Sequence, residues 1–321
     1  MLPVLLVFQA VVFSIAFIAM WLASDKVINY AVQISNLFKL SKLFVGFIFI
    51  GLVTALPEIA VVLTSAFDGI PEMAAGNIIG ANFNNLTLVL GLTAFWGNGL
   101  VVHKKEKRKL LWLIIIISLL FIFVFTSKQL SLFHSIFLIL SYFATLLWMW
   151  KNKTISEQDL NSQVDDFNNY SIYDKIIVIS KFMLSVFIVL IASELAVGRS
   201  EIISDMLNLS ITTFGATIFS IVTTVPELAL SINAIRKKEH GIALGTLIGS
   251  VLPHLCLCLS FLTVLSNKPV NLTKLVSFMY FIFPALFIII ISLWFKNKIN
   301  RFNGFLLFIL FIASFIYHLF F

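Results

Sequence analysis

Long apolar runs separated by short polar breaks occupy almost the whole chain. A helix that crosses about 30 Å of hydrocarbon needs roughly 20 apolar residues. Runs of that kind recur at about 2–24, 41–67, 72–96, 110–126, 130–150, 175–198, 211–235, 241–266, 274–295 and 302–320. The pattern predicts an all-α polytopic membrane protein with ten transmembrane helices. The run from Leu2 to Ser24 carries no charge and has no basic residues before it. It is longer than the roughly 7–15-residue apolar core of a signal peptide, so it reads as a retained span.

Composition points the same way. Of 321 residues, 60% are hydrophobic and 12% charged, with a mean hydropathy of +1.05. A soluble domain has about 45–50% apolar and 25% charged residues. The net charge of +7 could suit nucleic acid, but the basic residues lie in the connections between apolar runs. They therefore report topology and contact with a lipid bilayer, and no nucleic-acid partner is expected.

With ten spans, alternate connections share a side. One set holds Lys26, Lys39, Lys42, Lys104, Lys105, Lys107, Arg108, Lys109, Lys151, Lys153, Lys175, Arg236, Lys237, Lys238, Lys296, Lys298 and Arg301. The other holds only Lys128, Arg199, Lys268 and Lys274, with Lys181, inside a predicted span, assigned to neither. By the positive-inside rule the first set is cytoplasmic, which places both termini outside. Compact length and the lack of a targeting segment suggest a prokaryotic inner membrane. The longest polar connection, 151–174, falls on the cytoplasmic side and has no EF-hand spacing. It divides the chain into a first half, 1–150, and a second half, 175–321.

The two halves are copies. Shifting the sequence by 169 residues aligns Ala23–Asn85 with Ala192–His254 without a gap, with 16 identities in 63 positions. VTALPE at 53–58 meets VTTVPE at 222–227, and Gly76 and Gly80 meet Gly245 and Gly249. Pro, Glu, Gly, Thr and Ser carry much of the identity, which two unrelated greasy segments would not share. Five helices per half is an odd number, so the second copy must enter the membrane from the opposite side. Inverted five-helix repeats are characteristic of secondary transporters, whose site lies near the midplane between the repeats.

Glu58 and Glu227 are the carboxylates deep inside long apolar runs. Placing a charge there costs from about 2.5 to more than 10 kcal/mol, so a compensating partner is required. Each follows a proline, Pro57 or Pro226, which cannot donate to the carbonyl four residues earlier. This loosens the Val53 and Val222 carbonyls. Thr54 and Thr223, four residues before the glutamates, share their helical face. A carboxylate, a hydroxyl and a backbone oxygen together form a hard-oxygen ligand set that suits Na⁺ or Ca²⁺.

The small-residue seams at Gly76/Gly80 and Gly245/Gly249 allow close helix contact. They bring Asn82, Asn84 and Asn85 of one half, and Ser250 and His254 of the other, toward the glutamates. His254, the repeat equivalent of Asn85, can hold a metal or carry a proton; it can equally be a neutral core histidine. Cys256 and Cys258 lack His or Cys partners at metal-ligand spacing and read as packing residues. No cofactor or enzymatic residue set is expected. A cation channel and an intramembrane enzyme are the alternatives to a carrier.

These motifs resemble the two α-repeats of the calcium/cation antiporter superfamily, to which sodium/calcium and calcium/proton exchangers belong. The first repeat of that family reads roughly G-T-S-x-P-E and G-N-x-x-G-S-N-x-x-N; this chain has V-T-A-L-P-E and G-N-I-I-G-A-N-F-N-N. Its second repeat has V-T-T-V-P-E and G-T-L-I-G-S-V-L-P-H. The resemblance implies antiport of Ca²⁺, or a similar divalent cation, against Na⁺ or H⁺. Glu58 and Glu227 would be the central ligands, with Thr54 and Thr223 giving oxygens and Asn85 flanking the site. Ala55 and Ala81 stand where the family has serines, whereas Thr224 and Ser250 keep their hydroxyls. His254 stands in place of an Asp or Asn, and Val251 in place of an Asn. Na⁺ and H⁺ both remain open as the coupling ion, and the imidazole leaves room for Mn²⁺ or Zn²⁺.

Overall fold

Helix follows helix because each apolar run must satisfy its backbone hydrogen bonds internally. The computed structural model describes residues 2–37, 54–102, 104–151, 172–236 and 240–320. The first part of the helix predicted at 41–67, most of the 151–174 linker and Lys39, Lys42, Lys153, Lys237 and Lys238 lie outside the described residues. In the first half, α1 (Leu2–Leu37) is followed by α2 (Leu56–Phe67) and α3 (Pro71–Asn84). A π-helical turn, Asn85–Val89, carries α3 into α4 (Leu90–Trp96). Strand β1 (Leu100–Val101), α5 (Lys104–Ser127), β2 (Gln129–Leu130) and α6 (Leu132–Lys151) complete it.

The second half opens with α7 (Ile172–Met206). Next come α8 (Ile211–Phe214), a π turn (Gly215–Phe219), α9 (Ser220–Thr223) and α10 (Val225–Arg236). Helix α11 (His240–Pro253) passes through a π turn (His254–Cys258) into α12 (Leu259–Leu265). Strand β3 (Val270–Asn271), a 3₁₀ turn (Thr273–Phe278), α13 (Met279–Lys296), β4 (Lys298–Ile299) and α14 (Arg301–Phe320) follow.

The internal repeat reappears in this architecture. Helices α2, α3, α4 and α6 and the π turn at Asn85 have counterparts of the same length in α10, α11, α12, α14 and the π turn at His254, always 169 residues later. The turns repeat as well. Asn98 and Asn267 adopt left-handed φ values of 55° and 50°, and Lys128 and Asn297 values of 53° and 49°. Asparagine tolerates that region because its short side chain bonds locally.

Among the described residues, seven helices are long and apolar enough to cross a bilayer, and three shorter apolar helices, Val7–Ala23, Leu56–Phe67 and Ile211–Thr223, stand beside them. Two predicted boundaries need correction: the spans expected at 2–24 and 175–198 continue to Leu37 and Met206. Proline and glycine punctuate helices most strongly. The 25–37 segment contains neither, and the one glycine in 199's neighbourhood, Gly198, does not stop α7.

The two halves are stitched at both ends. Strand β1 pairs antiparallel with β4, and β2 with β3, so each ladder joins one half to the other. Burial divides the helices into a centre and a periphery. Within their apolar windows, Pro71–Trp96 and Ala243–Leu265 are each 89% buried, against 28% for Tyr173–Met206 and 22% for Arg301–Phe320. Helices α1 and α7 lie side by side.

The closest approach at the centre runs between α3 and the α8–α9 segment. A Cβ at Gly76 would overlap the Thr212 carbonyl, one at Gly80 the Ala216 carbonyl, and one at Gly215 the Met73 carbonyl. Only glycine lets the two backbones meet in this way.

Candidate cation site

Both glutamates sit at the start of a helix that a proline has interrupted. Helix α2 begins at Leu56 after Ala55, and α10 at Val225 after Thr224, the two breaks having similar backbone angles (φ −78°, ψ −4° and φ −89°, ψ 0°). Pro57 and Pro226 fit the first turn because its N–H groups have no intrahelical acceptor. Glu58 and Glu227 therefore occupy the N-terminal turns of two half-helices, where the dipole favours negative charge. Of the two carbonyls expected to be loosened, Val53 lies outside the described residues, and Val222 O faces the Thr224 N–H at the break.

Both side chains are fully buried, and so is His254. A carboxylate oxygen of each glutamate and a ring nitrogen of His254 all lie within 4.8 Å of one another. His254 Nε2 is 3.6 Å from Glu58 Oε2, too far for a hydrogen bond. Among the described residues, none of the four carboxylate oxygens and neither imidazole nitrogen has a hydrogen-bond partner. Buried polar atoms are almost always paired. A pair of carboxylates at this spacing cannot stay doubly ionised without positive charge beside it, from a bound cation or from protons.

The remaining predicted residues divide. Asn85 donates from Nδ2 to Ser250 Oγ at 3.1 Å, and its Oδ1 has no hydrogen-bond partner among the described residues. Ser250 in turn donates to the Leu247 carbonyl. Thr223 Oγ1 donates to Asn77 Oδ1 at 3.0 Å. Thr54 is buried one turn before Glu58. Thr224 is turned onto its own helix, donating to the Ser220 and Ile221 carbonyls. Cys256 and Cys258 are buried, unbridged, and outside the glutamate–histidine cluster.

Three polar residues at the centre were not singled out from the sequence. Asn77 accepts from Thr223, Ser220 accepts from Asn84 Nδ2 at 3.0 Å, and Ser231 is buried one turn after Glu227 with no hydrogen-bond partner for its hydroxyl among the described residues. Asn77 had a signal, since it lies inside the G-N-I-I-G motif. Ser220 had none, because its repeat position in the first half is Gly51.

A helical membrane bundle with two facing buried carboxylates, each at the head of an interrupted helix, is the build of a cation-carrying secondary transporter. The chain belongs to the sodium/calcium exchanger protein family, whose sequence model matches residues 8–151 and 177–320. It is similar to the putative antiporter CaxA of Alkalimonas amylolytica, 26% identical over 300 residues that cover 91% of this chain and 92% of the relative. The fold is shared with the sodium–calcium exchanger NCX_Mj, at a TM-score of 0.70 and 21% identity, covering 97% of this chain and 99% of that one. It is shared also with the H⁺/Ca²⁺ exchanger CAX, at a TM-score of 0.77 and 15% identity, covering 96% and 82%. The family is one of transporters and not of enzymes, and cation antiport is the class of activity it defines.

Proposed function

We propose that the protein is a secondary active antiporter that exchanges a divalent cation, Ca²⁺ or an ion like it, for Na⁺ or H⁺ by alternating access. The observation that carries this reading is the meeting of Glu58 and Glu227, from equivalent positions of the two repeats, with no hydrogen bond to any of their carboxylate oxygens among the described residues. Two negative charges are balanced either by one divalent ion or by monovalent cations or protons. Both loads compete for the same oxygens, and that competition makes exchange obligatory.

The glycine-lined contact between α3 and α8–α9 supplies a rigid centre, and the more peripheral α1–α7 pair is the element that slides across it. Several features support inverted halves with both termini outside a prokaryotic inner membrane. Each half has an odd number of spans, and the basic residues are biased to alternate connections. The strand ladders agree with this alternation. They join the connection after α4 to the one before α14, and the connection before α6 to the one after α12. In a ten-span path these pairs fall on common sides.

The test is divalent-cation flux in proteoliposomes under an imposed Na⁺ gradient and, separately, an imposed pH gradient. The Glu58→Gln/Glu227→Gln protein serves as blank. Gradient-driven uptake abolished in the double variant is the expected result. Uptake that ignores both gradients describes a channel, and equal uptake by the correctly inserted double variant removes the site.

A further inference from the structure

The third member of the buried cluster is a nitrogen ligand, and this bears on which divalent ion the site prefers. Ca²⁺ is satisfied by about 6–8 oxygen ligands in a loose shell. Imidazole belongs to the ligand sets of borderline transition ions, whose affinity for mixed nitrogen and oxygen sites rises along the Irving–Williams order. Ligands that share one ion at about 2.0–2.5 Å lie about 3–5 Å from one another. The glutamate oxygens and the His254 nitrogen, all within 4.8 Å, meet that condition.

The surroundings sharpen the point. Asn85, at the repeat position of His254, turns its amide nitrogen to Ser250 and keeps Oδ1 free of hydrogen bonds among the described residues, so from the equivalent place the first half offers an oxygen where the second offers a nitrogen. Val251, at the repeat position of Asn82, brings no donor. Neither nitrogen of His254 makes a hydrogen bond among the described residues, although the ring is fully buried; Nε2 lies 3.6 Å from Glu58 Oε2. A histidine retained only for packing would be expected to pair at least one of them.

We infer that the site's preferred substrate is a first-row divalent transition ion, in the range Mn²⁺ to Zn²⁺, held by Glu58, Glu227 and an imidazole nitrogen of His254. The inference rests on the antiporter reading for its biological sense, but the binding site can be tested without transport.

Purified, tag-free protein is loaded with Mn²⁺ and examined by electron spin echo envelope modulation, which detects a directly bound nitrogen. The same protein is titrated with Mn²⁺, Co²⁺, Zn²⁺ and Ca²⁺ in competition. Nitrogen modulation is expected in the parent protein and not in His254→Asp or His254→Gln. The ratio of Ca²⁺ to transition-ion dissociation constants should fall by at least about tenfold in His254→Asp, the lower end of what loss of a metal-supporting group costs.

Three outcomes overturn the inference: Mn²⁺ bound without nitrogen modulation, Ca²⁺ displacing every transition ion at equal concentration, or modulation that persists in Glu58→Gln/Glu227→Gln. The parent-protein spectrum decides the question even if the variants fail to fold. If the binding results hold while no gradient drives flux, the antiporter reading fails and the ligand set stands. If flux is gradient-driven but only Ca²⁺ binds, the reverse applies.

Discussion

The polar centre is built differently by the two halves. In the first, α3 and its π turn bring in four buried amides, Asn77, Asn82, Asn84 and Asn85. In the second, the equivalent positions are Thr246, Val251, Pro253 and His254. The glutamates and their prolines are the same in both. Three of the four amides reach across the interface to hydroxyls of the second half: Asn77 to Thr223, Asn84 to Ser220 and Asn85 to Ser250. One half thus spends its polar side chains holding the halves together, while the other places an imidazole beside the carboxylates. Symmetry is kept where charge must be balanced and given up where ligand type and interhelical bonding are chosen.

The largest effect should come from the symmetric part. Glu58→Gln and Glu227→Gln, taken singly, should each reduce gradient-driven divalent flux by at least about 100-fold, the scale of the roughly 3–5 kcal/mol lost when a buried charge loses its partner. The two should fall by similar amounts in proteoliposomes matched for inserted protein. A variant that keeps near-parental flux while its counterpart is dead would show that the carboxylates are not equivalent.

Next in size is the contact that lets the halves meet. Gly80→Val places carbon against the Ala216 carbonyl and the Ser220 side chain, and Gly76→Val against the Thr212 carbonyl. Overpacking a tight interior costs typically about 1–3 kcal/mol. Here the obstacles are mostly backbone atoms, which cannot rotate away. Both proteins should melt well below the parent in detergent, and Gly69→Val, facing open space at a left-handed turn, should lose only the backbone preference of glycine. Equal melting of all three would mean that the α3–α8/α9 approach is not the tight point of the fold.

A smaller loss is expected at the hydrogen bonds between the halves, whose amides only the first half supplies. Thr223→Val removes the donor to Asn77 Oδ1 and leaves a buried amide whose Nδ2 is already unpartnered. Stranding such a group costs about 1–3 kcal/mol. The companion change Asn77→Leu in the Thr223→Val background should recover part of it, because a matched apolar pair is cheaper than a lone buried amide. A double-variant cycle on melting temperature measures the coupling, and additive losses would sever the proposed link between the halves.

Much of this arrangement was visible in the chain. Apart from the ends of α1 and α7, apolar run lengths located most of the described helices to within a few residues, because bilayer thickness sets a narrow length. The ungapped repeat singled out Glu58 and Glu227 because two buried charges at matched positions need a common reason. The misses have physical causes. The extension of α1 to Leu37 was hidden because a helix can leave the bilayer without changing its backbone, and hydropathy sees only the apolar part.

The two-residue ladders β1–β4 and β2–β3 have no local signature, since their partners are far apart in sequence. The π turns at Asn85, Gly215 and His254 are local, residue-to-residue-plus-five structures, but no residue pattern distinguishes them from ordinary helix. Asn77, whose repeat position is Thr246, and Ser220, the partner of Asn84, whose repeat position is Gly51, break the repeat symmetry, so an alignment of the halves could not reveal these bonds. Thr224 shows the limit of residue type as a guide. Its hydroxyl matches the family pattern, yet it bonds back to its own helix at Ser220 O.

The smallest effect returns to symmetry, at the turns. Asn98 and Asn267 hold equivalent left-handed positions after α4 and α12, with φ of 55° and 50°. An alanine there must keep a positive φ, which costs an L-residue roughly 1–2 kcal/mol, and it lacks the local side-chain bonding that lets asparagine visit the region. Asn98→Ala and Asn267→Ala should therefore lower the melting temperature by small and similar amounts, whereas Asn98→Gly and Asn267→Gly should be close to neutral. The turns lie next to different ladders, Asn98 before β1 and Asn267 before β3. Equal losses would assign the cost to backbone conformation alone. A larger loss at one turn would mean that its ladder depends on the turn geometry, and that the two ends of the molecule are stitched with unequal strength.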